Sequence, residues 1–148
     1  SANQKPDYGL VIYILVRTDL KMPGGKIGVQ CAHATEDLLD TLSESERKEY
    51  RQRGRAKICL RITGPQLDQL HNDLVRERLP HKIVFDDGCG WVANGTPTAL
   101  AIGPCPKTYV PEEKGHLLAV NETPTAIGMG PIERAKVLHL VGSFKLLN

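Results

Sequence analysis

Residues 10–34 read LVIYILVRTDLKMPGGKIGVQCAHA, and this stretch decides how the chain begins to fold. Its first seven residues are continuously apolar, which predicts a strand buried on both faces of a sheet. A turn is predicted at residues 22–25, and a helix follows from Lys26 to about Thr41. Apolar residues recur in that helix every three or four positions, as a helix with one face on a core requires: Ile27, Cys31, Ala34, Leu38 and Leu42.

The rest of the chain alternates between strand and helix patterns. Short apolar runs predict three more strands, at residues 56–63, 82–85 and 98–102. Capping signals and apolar spacing predict three more helices, after Ser43, after Gly64 and over residues 132–141, before a short strand or extended tail at 144–147. The β-α-β-α-β order is typical of an α/β sandwich with a largely parallel sheet.

One short segment occurs twice. TPTALAIGP, at residues 96–104, recurs as TPTAIGMGP at residues 123–131. A single repeated strand is too little for a repeat architecture. We therefore expect two adjacent strands of similar design, joined by a surface loop.

Composition limits the classes of protein to which the chain can belong. The chain has 148 residues, 41% of them hydrophobic, which suits one domain with an ordinary core. No run approaches the roughly 20 apolar residues that cross a bilayer, and the N-terminus has no signal-peptide pattern, which indicates the cytoplasm. The four cysteines are widely spaced and suggest no zinc site, so reduced, partly buried thiols are expected.

Basic residues are concentrated between Arg47 and Arg61, where seven of them accompany only one acidic residue. A solvated, charged helix end is one interpretation of this run. A patch that faces nucleic-acid phosphates is the other, with Arg51, Arg53 and Arg55 as its candidate contacts. The net charge of +2 is too small to decide between them.

Polar residues crowd the end of the first strand and the start of the helix. Ligands bind at strand carboxyl ends in open α/β sheets, and a helix start favours anions. Lys26, Gln30 and His33 fall on one helical stripe that borders the apolar one, as the wall of a cleft would. Asp86 or Asp87 closes the third strand, and a carboxylate near this stripe could orient or deprotonate a water. Ordinary turn formation remains an alternative for both segments.

These residues resemble the type-2 peptidyl-tRNA hydrolases, whose pattern is R-x-D-L-x-M-x-x-G-K-x-x-x-Q-x-x-H-A. The matching positions are Arg17, Asp19, Leu20, Met22, Gly25, Lys26, Gln30, His33 and Ala34. A second block, D-x-G followed by T-x-L-x-I-G-P, is similar to Asp86, Gly88 and residues 98–104. A third, T-G-x-L-K-L, is similar to residues 141–146.

The resemblance implies a three-layer α/β/α sandwich with a mixed, mostly parallel four-stranded sheet. Residues 1–148 would form one domain, with an insertion at about 105–131 between the fourth strand and the last helix. The implied reaction is hydrolysis of the ester between a peptide and the 3′ ribose of tRNA, without metal or cofactor. Lys26, His33, Asp86 and Thr98 would be catalytic. Substrate contacts would come from Arg17, Asp19, Lys21, Gly25 and Gln30, and from Arg51, Arg53 and Arg55.

Departures from the family pattern leave a second hypothesis open. Gly24, Gly90 and Val141 stand where the family often has a basic residue and two threonines, and the repeat leaves either Thr98 or Thr125 for the strand position. The alternative is a catalytically weakened homologue that binds RNA or protein. Peptidyl-tRNA is the expected partner, no membrane association is expected, and a homodimer is one assembly left open.

Overall fold

The structure is a computed structural model that describes residues 7–85 and 123–148. Its strands are β1 (Leu10–Arg17), β2 (Ala56–Ile62), β3 (His81–Phe85) and β4 (Pro124–Glu133). Its α-helices are α1 (Gly24–Asp40), α2 (Glu44–Gln52), α3 (Gly64–Arg76) and the one-turn α4 (Leu138–Val141), which follows a 3₁₀ turn, Arg134–Lys136.

The four strands form one mixed sheet in the order β2-β1-β4-β3. β1 and β2 are parallel, whereas β4 runs antiparallel to both of its neighbours, β1 and β3. Three strands therefore point in one direction, although only one of the three pairings is parallel. The predicted α/β/α sandwich with a mixed sheet is confirmed.

The central strand β1 divides two cores, which explains its continuous apolar sequence. Val11, Tyr13 and Leu15 lie on the face covered by α3 and α4. Ile12 and Ile14 lie on the other face, in the cluster that includes the buried residues of α1 and α2. All residues from 11 to 16 are buried, as predicted for a strand covered on both sides.

Two boundaries around α1 differ from the prediction. The chain turns at residues 18–21, where the Lys21 amide donates to the Thr18 carbonyl at 3.1 Å. Gly24 and Gly25 belong to the first turn of α1 instead of to the preceding turn. The helix ends at Asp40, one residue from the predicted end.

The second copy of the repeated segment supplies the strand between β1 and β3. Residues 124–131, the last part of the predicted insertion, lie in β4 and belong to the sheet. The predicted helix over residues 132–141 is wrong at its start, since β4 continues to Glu133 and only Leu138–Val141 is α-helical. The predicted strand at residues 98–102 lies outside the described residues.

The last residues run along β2, as predicted for an extended tail. The Arg61 amide donates to the Lys145 carbonyl at 2.8 Å, and the Leu147 amide donates to the Cys59 carbonyl at 3.0 Å. A bridge between Leu60 and Leu146 joins the tail to the strand. The tail thereby covers part of an edge that would otherwise expose unpaired backbone groups.

Candidate active site at the carboxyl edge of the sheet

Three strands end at one edge of the sheet, because β1, β2 and β3 point the same way. Their last residues are Arg17, Ile62 and Phe85, and β4 begins at this edge with Pro124. Residues 18–23 lead from the edge directly into α1. Carboxyl ends of strands are where open α/β sheets bind ligands, so the predicted site lies at a suitable place in the fold.

The start of α1 differs from the starts of α2 and α3. Ser43 and Thr63 cap those two helices with their side-chain oxygens, whereas Pro23 gives α1 no side-chain cap. A Cβ added at Gly24 or Gly25 would meet no atom within 4 Å, so the described residues leave the space there open. No acidic residue occupies the first turn. Among the described residues, nothing covers the positive end of the α1 dipole, which is the end that favours an anion.

Two buried polar side chains join α1 to the sheet beneath it. Gln30 is 2% exposed and Thr125 is 0% exposed. The Gln30 Nε2 donates to Thr125 Oγ1 at 2.7 Å, and that hydroxyl donates to the Val84 carbonyl at 3.0 Å. The prediction that Gln30 borders the core is wrong, because it lies inside. The chain of hydrogen bonds links α1, β4 and the end of β3, two residues before Asp86.

Lys26 and His33 share one flank of α1. At 100° per residue they lie about 40° and 60° to one side of Gln30, whereas Cys31 and Thr35 lie about 100° and 140° to the other. Lys26 is half-buried and His33 is exposed. The structure thus keeps these two predicted catalytic residues on a common surface.

The opposite flank of α1 borders a groove of about 700 Å³. α1, α2, β1 and β2 supply its walls, which include Cys31, Thr35, Glu36, Asp40, Arg47, Arg51 and Lys57. Since this groove lies on the β2 side of α1, the flank with Lys26 and His33 faces the β3 side. β3 is the strand that leads to Asp86, which itself lies outside the described residues, as does Thr98.

Arg17 and Asp19 join the elements that meet at the carboxyl edge of the sheet. Arg17 donates twice to Asp19, at 2.8 and 3.1 Å, and once to the Pro124 carbonyl at 3.1 Å. Asp19 also accepts the Gly64 amide at 3.1 Å, at the start of α3. The hydrogen bonds from Arg17, with the contribution of the Gly64 amide, lower the pKa of the Asp19 carboxyl. These contacts join β1, α3 and β4; substrate binding by either residue stays a prediction.

Arg53 is held by three carboxylates. Its Nη1 contacts Glu133 at 2.6 Å and Glu49 at 3.3 Å, and its Nε contacts Asp7 at 3.0 Å. The hydrogen bonds to Glu133 and Asp7 raise the pKa of the guanidinium. Because three carboxylates already pair with the Arg53 guanidinium, it is poorly suited to bind a phosphate as well. The geometry of Arg53 supports a structural role rather than the predicted substrate contact.

Of the other basic residues between Arg47 and Arg61, some are held by hydrogen bonds within the fold and some are exposed. Arg47 donates to two carbonyls near the end of α1, and Arg61 donates to the Leu146 carbonyl at 2.9 Å. Arg51 and Arg55 are exposed. The structure thus shows a structural role for part of the run, and a phosphate-facing patch stays a prediction for the exposed residues Arg51 and Arg55.

Lys21 and Gly25 are exposed beside the edge, where substrate could reach them. Within residues 7–85 and 123–148, no cluster of three or more His, Cys, Asp or Glu side chains is placed to hold a metal ion. No helix in that same part of the chain is long and apolar enough to cross a membrane.

Comparison with known proteins gives a consistent family. The model of the family described as "Peptidyl-tRNA hydrolase PTH2" matches residues 10–120. A peptidyl-tRNA hydrolase of Aeropyrum pernix is 38% identical over 112 residues, covering 70% of this chain and 90% of the relative. One of Sulfurisphaera tokodaii is also 38% identical, over 114 residues, with 70% and 93% covered. One of Haloquadratum walsbyi is 35% identical over 92 residues, with 62% and 82% covered.

The family match and the described sheet contain different copies of the repeated segment. The matched residues include the first copy and end before β4 begins at Pro124. Both copies contain TPTA and end in Gly-Pro, but only the first copy matches T-x-L-x-I-G-P in full, since the second has Ile127 and Met129 at the Leu and Ile positions. The match therefore covers Thr98, whereas the described sheet contains Thr125.

Proposed function

The chain belongs to the type-2 peptidyl-tRNA hydrolase family, and from this premise we propose that it hydrolyses the ester between a peptide, or an N-blocked amino acid, and the 3′ ribose of tRNA. Water attacks the ester carbonyl, the 3′ oxygen leaves, and the products are free tRNA and a peptide carboxylate. The observation that carries the proposal is the long motif of residues 17–34 at the carboxyl edge of β1 and the start of α1. The alternative of a non-catalytic binding protein is not favoured by relatives named as hydrolases.

The start of α1 is suited to the negative charge that develops in this reaction. Pro23 provides no side-chain cap, and the space above Gly24 and Gly25 is open among the described residues. Lys26 follows in the same turn of the helix. We assign Lys26 and the helix start to the oxyanion or to the 3′-terminal phosphate, because preorganised donors aimed at developing charge lower a barrier most effectively.

We assign Asp86 and His33 to the orientation and deprotonation of the attacking water. Asp86 comes directly after Phe85 at the end of β3, and His33 lies on the flank of α1 that faces this side of the sheet. A carboxylate next to a lysine stays ionised and serves better to orient a water than to accept its proton. His33 is the better proton acceptor of the two.

Thr125 is proposed as a positioning residue. Its hydroxyl fixes the Val84 carbonyl and the Gln30 amide, so it sets the end of β3 relative to α1. The position of the end of β3 relative to the His33 flank depends on that arrangement. Thr98 stays a predicted catalytic residue, because it lies outside the described part of the chain.

The tRNA backbone is proposed to lie against the exposed residues Arg51 and Arg55. Clustered guanidinium groups attract phosphates irrespective of sequence. Arg53, between them in sequence, is excluded from this role because Glu133, Glu49 and Asp7 hold it. Action in the cytoplasm is part of the proposal, since translation generates peptidyl-tRNA there; a homodimer stays a prediction.

A single-turnover assay with an N-blocked aminoacyl-tRNA tests the function. Wild-type protein should release free tRNA, and Lys26→Ala should slow release by on the order of 10²-fold, the effect of losing one preorganised donor. Lys82→Ala is the matched control, since Lys82 is exposed at the opposite end of β3. Absence of hydrolysis by the folded wild-type chain contradicts the function, whereas equal rates for the two variants contradict only the role of Lys26.

A further inference from the structure

Two cysteines that the proposed hydrolysis does not use face each other on the side of α1 that borders the groove. Cys31 lies on α1 and Cys59 on β2, and their Sγ atoms are 3.8 Å apart. Both thiols are free and partly buried, as the sequence predicted. Their partners in the surrounding apolar cluster include Leu39 and Leu147.

We propose that Cys31 and Cys59 form a redox-active pair that a peroxide converts into an intramolecular disulfide. The sulfur atoms must approach from 3.8 Å to about 2.05 Å. Rotation about χ1 of the two side chains is the movement that would bring the sulfur atoms together, because each sulfur sits one bond beyond its Cβ. The two residues come from different elements, so the bond would attach α1 to β2.

The surroundings assign the first step to Cys31. Cys31 lines the 700 Å³ groove, where a small oxidant can reach it, whereas Cys59 is not among the lining residues; the charged groups of the lining are Arg47, Arg51, Lys57, Glu36 and Asp40. The hydrogen bond between the two thiols lowers the pKa of Cys31 and raises the pKa of Cys59. A thiolate is the nucleophilic form of cysteine, so Cys31 attacks and Cys59 resolves.

The chemistry balances in two steps. The Cys31 thiolate attacks one peroxide oxygen, the O–O bond breaks, and hydroxide leaves and takes a proton to become water. Cys31 is then a sulfenic acid. The Cys59 sulfur attacks the Cys31 sulfur, the S–O bond breaks, and a second water leaves with the Cys59 proton. The two thiols lose two electrons, and hydrogen peroxide is reduced to two waters.

The full-length chain with Cys89→Ser and Cys105→Ser leaves only this pair for the experiment. After treatment with a slight excess of hydrogen peroxide, we expect loss of both remaining thiols, loss of the mass of two hydrogens per chain and no covalent dimer. A peptide map without reductant should join the Cys31 and Cys59 peptides, and dithiothreitol should restore both thiols. The same linked peptide in peroxide-treated wild type shows that the substitutions did not create it.

Two single variants in that background test the order of the steps. Cys59→Ser should stop at the sulfenic acid of Cys31, which dimedone traps. Cys31→Ser should react with peroxide at least 10-fold more slowly than Cys59→Ser, the difference expected between a thiolate and a protonated thiol. The proposal is overturned if peroxide adds two oxygens to Cys31 without a cross-link, if only intermolecular disulfides form, or if the two variants react at equal rates.

Discussion

Replacing Thr125 by valine should destabilise the fold strongly, although valine has nearly the same shape and is more apolar. The Thr125 hydroxyl accepts from Gln30 and donates to the Val84 carbonyl, at 2.7 and 3.0 Å. Valine removes both bonds and leaves two buried polar groups without this partner. At about 1–3 kcal/mol for each orphaned group, the loss is about 2–6 kcal/mol of unfolding free energy. That is a large part of the about 5–15 kcal/mol typical of a domain.

A double-mutant cycle isolates the hydrogen bond between the two side chains. Gln30→Met alone should cost about 0.5–1.5 kcal/mol, because the Thr125 hydroxyl keeps its bond to Val84. In the double variant no Gln30 amide remains to be orphaned. Its loss should therefore fall short of the sum of the single losses by at least about 1 kcal/mol, within the range measured for contacting pairs. Urea unfolding with an unchanged m value gives the three free energies.

Thr125→Ser is the control, since it keeps the hydroxyl and removes only a methyl group, at a cost of about 1 kcal/mol. Serine should therefore be more stable than valine at this position. Valine as stable as threonine, or single losses that add within about 0.5 kcal/mol, would refute the hydrogen-bonded arrangement. In the tRNA assay, Thr125→Val should lower the single-turnover rate at saturating enzyme, whereas Thr125→Ser should leave it near wild type.

Three further outcomes test the packing, the carboxyl edge and the basic patch. Gly128→Ala should cost about 1–3 kcal/mol by overpacking, because its Cβ would lie 2.9 Å from a side chain of α1, whereas Gly28→Ala, with no atom within 4 Å, should be neutral or stabilising. Asp19→Asn should destabilise at neutral pH, and the difference from wild type should disappear as pH falls below about 4, because the lowered pKa of Asp19 stabilises the fold only while the carboxyl is ionised. Replacing Arg51 and Arg55 by glutamine should reduce the salt slope of tRNA binding by about 1.4–1.8, and an unchanged slope would exclude them as phosphate contacts.

Periodicity predicted the layers of the fold because each layer leaves a local signal. The unbroken apolar run of β1 follows from burial on both faces, and the alternating sides of that strand feed two separate cores. The capping boxes at Ser43 and Thr63 mark the starts of α2 and α3 within a few residues of sequence. The candidate site was predicted from a local signal too, since a strand end next to a glycine-rich helix start can be recognised in the sequence, and the structure places both at the carboxyl edge of the sheet.

Burial of Gln30 could not be predicted in the same way. Helical geometry placed it beside Lys26 and His33, and a glutamine at the border of a core normally points outward. Its interior position depends on Thr125, a residue 95 positions away that supplies the buried partner. Likewise, Arg53 could not be distinguished from Arg51 and Arg55 by local sequence, because its carboxylate partners at Asp7 and Glu133 come from distant parts of the chain.

The two copies of the repeated segment differ at one position that bears on how well each would fit as β4. Alignment of TPTALAIGP with TPTAIGMGP sets Ala101 against Gly128. A Cβ at Gly128 would approach the Leu38 Cδ1 to 2.9 Å and the Ala34 Cβ to 3.2 Å, so α1 packs closely against β4 at this glycine. The second copy thus fits beneath α1 without adjustment, whereas alanine at this position would require the Leu38 side chain and Ala34 to shift. Since α1 carries Lys26 and His33, close packing at Gly128 favours an arrangement in which those two side chains stay near the sheet.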